Sequence, residues 1–321
     1  MTLDVSALAA AVLAGDRRAI AQAITLVEST RSEDLVRAEQ LLVELYPHTG
    51  RALRLGVSGV PGAGKSTLID ALGRHAIAAK HRLGVLAIDP SSQLSGGSVL
   101  GDRTRMAQLS RAPEAFVRPS PSSGASGGLS LRTREALVVL EAGGHDVLIV
   151  ETVGTGQAEV AVTELVDVLV VVLIAGAGDD VQGVKRGLLE HADVVVFNKA
   201  DGANLPLASA ARDELFSLYA WMRHGEAPSV LALSARDDSG VLELWQLVER
   251  RFQTISANGS LAQRRREQRR AWLERSLEEA LLARFSTSAA AHERRLLLTQ
   301  AVERGELLPR LAARQWVDSL P

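Results

Sequence analysis

The spacing of apolar positions changes twice along the chain and predicts three segments. In residues 1–50, apolar side chains recur every three or four positions, which predicts an N-terminal helical extension. From residue 51 to 258, short apolar runs alternate with amphipathic stretches, a pattern typical of strands connected by helices. Residues 259–321 return to helical spacing, and we expect a C-terminal helical arm.

Six apolar runs in the central segment predict strands, and several of these are apolar on both faces. They cover residues 53–57, 85–88, 147–150, 168–174, 194–197 and 230–233. A strand without a polar face belongs in a parallel sheet that helices cover on each side. We therefore predict an α/β fold with a mostly parallel sheet, helices on both of its faces, and helical additions at both ends of the chain.

Charge and composition exclude several classes of partner and of chemistry. The chain has 36 basic and 38 acidic residues, so its net charge of −2 produces no long-range attraction to nucleic acid or to anionic membranes. It has no cysteine, which excludes disulfides, Cys-ligated zinc and thiol catalysis. The longest apolar run, residues 168–175, is much shorter than the roughly 20 residues of a membrane span. We expect a cytoplasmic protein.

A phosphate-binding motif follows the first predicted strand. Residues 59–67 match the pattern G-x-x-x-x-G-K-[ST] between a strand and a helix, a context that favours a P-loop over a glycine-rich turn with an accidental lysine. Its backbone N–H groups would surround phosphate oxygens, Lys65 would contact the β- and γ-phosphates, and Ser66 would bind Mg²⁺. The predicted phosphate-binding residues are Gly59, Val60, Pro61, Gly62, Ala63, Gly64, Lys65, Ser66 and Thr67.

A guanine-binding motif follows a later strand. Residues 198–201 have the pattern N-K-x-D, and the Asp201 carboxylate could accept hydrogen bonds from N1–H and the 2-amino group of guanine. Adenine has neither donor there, so the motif predicts a preference for GTP over ATP. Lys199 would lie along the base plane and Asn198 would tie loops together. The predicted base-binding residues are Asn198, Lys199, Asp201, Ser234 and Ala235, and the Ser234-Ala235 dipeptide could offer a backbone N–H to guanine O6.

Acidic residues near strand ends predict a magnesium site and hydrolytic machinery. Asp89 and Glu151 each follow a predicted strand, and Asp102 closes a segment rich in glycine and serine. Mg²⁺ accepts only one or two protein carboxylates, so these three acids cannot all be direct ligands at once. Glu151 would hold either Mg²⁺ or the attacking water, and Gln157 lies in the same segment. An ordinary Asp-Pro turn remains the alternative for Asp89.

Together these motifs resemble the MeaB/ArgK/MMAA family, a branch of the signal-recognition-like GTPases. The resemblance lies in residues 59–67, 89–106, 116–124, 151–157, 176–185 and 198–201. It implies a homodimeric GTPase chaperone that gates adenosylcobalamin loading and protection of an acyl-CoA mutase such as methylmalonyl-CoA mutase. We expect slow intrinsic hydrolysis that the mutase accelerates.

The resemblance also assigns roles to individual residues. It implies Mg²⁺ contacts at Ser66, Asp89, Asp102 and Glu151, and a partner-sensing loop at residues 178–185, with C-terminal helices helping the dimer to form. Lys185 in that loop would reach the nucleotide when the mutase is bound. From the residues alone, an ordinary helix start is the simpler interpretation of this loop. The predicted catalytic residues are Lys65, Asp102, Glu151, Gln157 and Lys185.

Other functions are less compatible with the sequence. A nickel metallochaperone GTPase needs a cysteine or histidine-rich relay, which this chain lacks. A signal-peptide targeting GTPase needs a methionine-rich groove, and the chain has three methionines. A protein kinase, the older label of the ArgK branch, would transfer the γ-phosphate to protein instead of water. The basic run at residues 264–270 includes Glu267 and predicts a solvated helix face, not a nucleic-acid site.

Overall fold

A computed structural model of the protein describes residues 4–89, 106–121, 128–152, 161–176, 186–222, 227–286 and 289–318. These residues divide into two compact units, Met1–Gln268 and Arg269–Pro321. The first unit contains the sheet, the N-terminal helices and the start of the C-terminal arm. The finer division at residues 50 and 258 stays a prediction.

Seven parallel strands form one sheet in the first unit. They are β1 Leu53–Gly59, β2 Leu83–Asp89, β3 Ala115–Pro121, β4 Val147–Glu151, β5 Val168–Ile174, β6 Val194–Asn198 and β7 Ser229–Ala232. Their order across the sheet is β3-β2-β4-β1-β5-β6-β7, and every pairing is parallel. The predicted parallel α/β sheet is confirmed, and β1 lies at its centre.

The edge strand β3 is absent from the six strands that the sequence predicts. Pro119 and Pro121 lie within it, and proline indicates a turn or a loop because it has no N–H to donate to a ladder. An edge strand needs ladder hydrogen bonds on one side only, so it tolerates these prolines. β3 therefore pairs with β2 along its full length, from Ala115 to Pro121.

Helices cover both faces of the sheet. The described part of the chain contains eleven α-helices: α1 Val5–Leu13, α2 Arg17–Glu28, α3 Ser32–Leu45, α4 Lys65–Ala78, α5 Gly128–Ala142, α6 Arg186–His191, α7 Leu205–Met222, α8 Val241–Ala257, α9 Ser260–Ser286, α10 Ala289–Glu303 and α11 Pro309–Asp318. α4 and α8 pack on the face that carries Leu55 and Val57. Leu140 of α5 lies against the opposite face, beside Gly84. None of the helices that can be described is long and apolar enough to cross a membrane.

The N-terminal helices join the first unit by packing α2 and α3 against α5. Asp16 caps α2, since its carboxylate accepts from the Ala19 N–H at 2.7 Å. The Glu141 carboxylate of α5 accepts from three successive backbone N–H groups at residues 50–52 and pairs with Arg54. This buried carboxylate therefore fixes the chain where the helical extension ends and β1 begins.

The start of α9 is anchored at the amino end of the sheet. Arg265 is buried, pairs with the Asp167 carboxylate at 2.6 Å, and donates to the carbonyls of Gly50 and Ala52. Gln268 is also buried and donates to the Val166 carbonyl at 2.8 Å. The prediction of a solvated helix face for residues 264–270 is therefore wrong for these two residues. Helical spacing brings them onto one face, and that face is inside the protein.

Candidate nucleotide-binding site

The described residues of the predicted site lie at the carboxyl edge of the sheet, where β1 is flanked by β4 and β5. From β1 the chain crosses to the β2 side first and later reaches β5 on the other side, so this is the switch point of the topology. Open parallel sheets bind ligands at such a point, because the loops on its two sides diverge and leave a crevice. The loop at residues 60–64 occupies this position and leads directly into α4.

Two glycines, Gly59 at the end of β1 and Gly64 at the end of the loop, occupy positions where a side chain does not fit. Gly59 has φ 139°, and a Cβ there would lie 2.0 Å from the Val172 carbonyl oxygen. Gly64 has φ 84°, and a Cβ there would lie 2.7 Å from Asn198 Nδ2. The loop therefore turns tightly between β5 and the end of β6. This close packing provides the backbone cradle that the phosphate motif requires.

Lys65 places its ammonium group within this cradle. Its Nζ donates to the carbonyls of Gly59 at 2.9 Å and Val60 at 3.0 Å, and the residue is only 7% exposed. α4 begins at Lys65, so the positive end of the helix dipole points toward the same loop. A lysine, a helix N-terminus and a glycine-rich loop together fit a polyphosphate.

Two oxygen donors of the predicted metal site lie together. The Ser66 hydroxyl donates to Glu151 Oε1 at 2.8 Å, which joins the start of α4 to the end of β4. Hydroxyl and carboxylate oxygens are the ligand types that Mg²⁺ prefers, so this pair fits the predicted ion. Among the residues that the structure describes, no three His, Asp or Glu side chains form a group that could hold a metal.

Several predicted residues fall outside the described part of the chain. Asp102, Gln157, Lys185 and the loop at residues 178–185 lie there entirely. The backbone of Asp89 ends β2 at the predicted edge, but its side chain is not described. Their roles as metal ligands, catalytic groups or partner sensors stay predictions.

Asn198 connects the phosphate loop with the base loop. Its side-chain N–H donates to the Ala63 carbonyl at 2.7 Å, and its Oδ1 accepts from the Ala235 N–H at 3.0 Å. Asn198 is 2% exposed, so water does not compete for these bonds. One buried amide thus fixes the distance between the loop after β1 and the loop after β7. The sequence predicted this tie between loops.

The Asp201 carboxylate is held by two neighbours from the loop after β7. The Ser234 hydroxyl donates to Oδ2 at 2.7 Å, and the guanidinium of Arg236 lies 2.9 Å from Oδ1. Arg236 also contacts Asp237 at 2.9 Å, and the bonds to Asp237 and the charge of Asp201 raise the pKa of Arg236. Lys199 has φ 60°, which turns the chain between β6 and Asp201.

Two contacts of the base loop were missed by the sequence interpretation. Asp238 has φ 58°, and its carboxylate contacts His75 at 2.9 Å and Arg74 at 3.4 Å, so the loop is joined to α4. Arg236 was also missed, because the motif interpretation ended at Ala235. Its position directly after Ser234-Ala235 was the available signal.

Comparisons with known proteins agree with this geometry. Residues 20–290 match the sequence model of the family described as methylmalonyl-CoA mutase-associated GTPase MeaB. The chain belongs to the MeaB family. A probable GTPase of Mycobacterium tuberculosis is 48% identical over 317 residues, covering 98% of this chain and 94% of that protein. GTPase ArgK of Escherichia coli is 44% identical over 306 residues, covering 94% and 92%.

This MeaB family member also resembles a solved structure in its fold. The crystal structure of an LAO/AO transport system kinase superposes with a TM-score of 0.75 at 35% identity, covering 99% of this chain and 98% of that one. The similarity therefore includes the helical segments at both ends as well as the sheet. This MeaB family member has the P-loop GTPase fold, as the sequence predicted.

Proposed function

We propose that this protein binds GTP with Mg²⁺, hydrolyses it to GDP and phosphate, and acts as a chaperone for an adenosylcobalamin-dependent acyl-CoA mutase. In this role it gates cofactor loading and protects the mutase. The observation that carries the nucleotide part is the Asn198 amide, which joins the Ala63 carbonyl of the phosphate loop to the Ala235 N–H of the base loop. A buried link between two loops at a sheet edge suits a ligand that spans both of them.

The phosphate end of the site relies on charge and on oxygen donors. The Lys65 ammonium would exchange its carbonyl partners for the β- and γ-phosphate oxygens. Ser66 and Glu151 would hold Mg²⁺, Ser66 directly and Glu151 directly or through water, with Asp89 and Asp102 as further candidates. When bound, Mg²⁺ supplies charge neutralisation at the β- and γ-phosphates. Glu151 and Gln157 are the candidates to orient the attacking water.

The base end of the site would provide specificity for guanine over adenine. Asp201 would offer its carboxylate oxygens to N1–H and the 2-amino group of guanine. A backbone donor to O6 from Ser234-Ala235 stays a prediction, because the Ala235 N–H donates to Asn198 Oδ1. Asp201→Asn replaces one acceptor with a donor, which repels the guanine donors and suits the 2-oxo group of xanthine. We expect the variant to lose at least about tenfold in GTP affinity and to gain affinity for xanthosine triphosphate. Calorimetric titration of both nucleotides tests this, and an unchanged preference for GTP would refute the base assignment.

The family description supports the mutase as partner. We expect GTP turnover by the isolated protein to be slow and to rise several-fold when the cognate mutase is added. Release of inorganic phosphate should account for all of the γ-phosphate consumed. Turnover that no acyl-CoA mutase affects would argue against the chaperone role. Transfer of radiolabelled γ-phosphate to protein would instead favour the kinase named for the structural relative.

We expect the protein to work as a homodimer. C-terminal helices would contribute to the contact, and exposed leucines on α9, α10 and α11 suit that role. These leucines are Leu273, Leu277, Leu281, Leu296, Leu297 and Leu311. Light scattering on the full chain gives the mass directly, and a monomer at micromolar concentration would contradict this part of the proposal.

A further inference from the structure

The tip of the loop between β7 and α8 carries an arginine next to the base-reading carboxylate. Ser234 and Ser239 close this loop by exchanging backbone hydrogen bonds of 2.9 and 3.1 Å. The Ser234 hydroxyl also accepts from the Asp237 N–H at 3.2 Å, so the turn is braced from within. Arg236 projects from this fixed turn, and its side chain is 71% exposed.

Arg236 and Ser234 approach the Asp201 carboxylate from different sides. Ser234 is buried, so its hydroxyl reaches Oδ2 from the interior of the protein. Arg236 is exposed and lies 2.9 Å from Oδ1, so it covers the carboxylate on the solvent side. One of the two oxygens that would accept from guanine is therefore already engaged by a solvent-exposed cation.

We propose that Arg236 competes with guanine for Asp201 and thereby lowers the affinity for guanine nucleotides. The inference rests on the proposed GTP site, where Asp201 accepts two donors from the base. Arg236 and guanine both present N–H donors to the Asp201 carboxylate, and the paired donors of the base use both of its oxygens, so we expect the base to displace the guanidinium from Oδ1. Asp237 keeps its own contacts with Arg236 at 2.9 and 3.2 Å and retains the guanidinium nearby when Asp201 is released.

The expected effect is small because an exposed ion pair is easily displaced. Exposed ion pairs contribute little binding free energy, because water and salt screen them. We therefore expect Arg236→Ala to tighten GDP binding only roughly two- to fivefold. The ion pair should also weaken with ionic strength. The ratio of wild-type to Arg236→Ala dissociation constants should therefore fall toward one as salt rises from about 0.05 M to about 0.5 M. Phosphate contacts are common to both proteins and cancel in that ratio.

The experiment measures equilibrium affinity and dissociation rate for a fluorescent GDP on the full chain with Mg²⁺. Arg212→Ala is the matched control, because Arg212 on α7 also contacts the aspartate that follows it in the sequence, Asp213, at 2.9 Å. We expect Arg236→Ala to bind GDP more tightly and release it more slowly, and the control to match the wild type. A structural lesion would weaken binding, so tightening separates competition from mere damage.

Three results would overturn the inference. Weaker GDP binding by Arg236→Ala would mean that Arg236 supports the base instead of excluding it. Unchanged binding would mean that the ion pair opens without cost. A gain that persists at high salt would exclude an ion pair as its source. Absence of GDP binding by the wild type itself would reject the proposed function, and is thus distinguishable from each of these three.

Discussion

Asn198→Ala tests whether one buried amide organises the candidate site. The substitution removes the bond to the Ala63 carbonyl and the bond from the Ala235 N–H. Both partners lie in buried residues, so they lose a hydrogen bond without regaining water. A buried group left unsatisfied costs about 1–3 kcal/mol, and two such groups indicate a loss of about 2–4 kcal/mol, allowing for partial relaxation.

The assay combines urea unfolding with nucleotide titration. We expect the free energy of unfolding to fall by about 2–4 kcal/mol, and GDP affinity to fall at least about tenfold, because the two loops lose their fixed separation. Asn204→Ala is the matched control, since its amide makes a single solvent-exposed bond to the Lys199 carbonyl at 2.8 Å in the same loop. If Asn198→Ala unfolds and binds GDP like this control, the amide does not organise the site.

Two further perturbations test the phosphate cradle and the junction before β1. Gly59→Ala forces a Cβ to within 2.0 Å of the Val172 carbonyl, so we expect a loss of at least about 3 kcal/mol in unfolding experiments. Gly62→Ala, with φ 78° and no atom within 4 Å of its Cβ, should lose only about 1–2 kcal/mol, and equal losses would contradict the steric reasoning. Burial works to raise the pKa of Glu141, but Arg54 and the N–H groups of residues 51–52 outweigh it and lower that pKa. Stability from Glu141 is therefore present above the unfolded pKa of about 4.3 and lost as the pH falls through the lower folded value, so the free energy of unfolding should decline more steeply with acid in the wild type than in Glu141→Gln.

The sheet was predictable wherever a strand was apolar on both faces. β4, β5 and β6 are buried along nearly their whole length, and a continuous apolar run in each predicts that directly. β3 was not predictable in the same way, because proline contradicts a strand unless its position at the sheet edge is known. Edge position is a property of the assembled sheet and has no signature within seven residues.

The site likewise contains features that a short sequence motif predicts and contacts between residues that are distant in sequence. Gly59, Lys65 and Asn198 belong to contiguous motifs whose chemistry follows from spacing, and the structure brings them to one edge of the sheet. The contact between Arg236 and Asp201 joins residues 35 positions apart, as their numbers show, and depends on how two loops approach each other. A charged residue on a helix is usually predicted to be exposed to solvent. This prediction was wrong for Arg265, because its partner Asp167 lies 98 positions away in the sequence.

The central claim is that the Asn198-linked loops form a guanine-nucleotide site. Calorimetric titration of the wild-type protein with GDP and with ADP, both with Mg²⁺, measures the two affinities and tests that claim most directly. The account predicts clear heat from GDP and an affinity for ADP that is at least about tenfold weaker, because adenine lacks the donors that Asp201 reads. Equal affinities for the two nucleotides, or no heat from GDP, would contradict it.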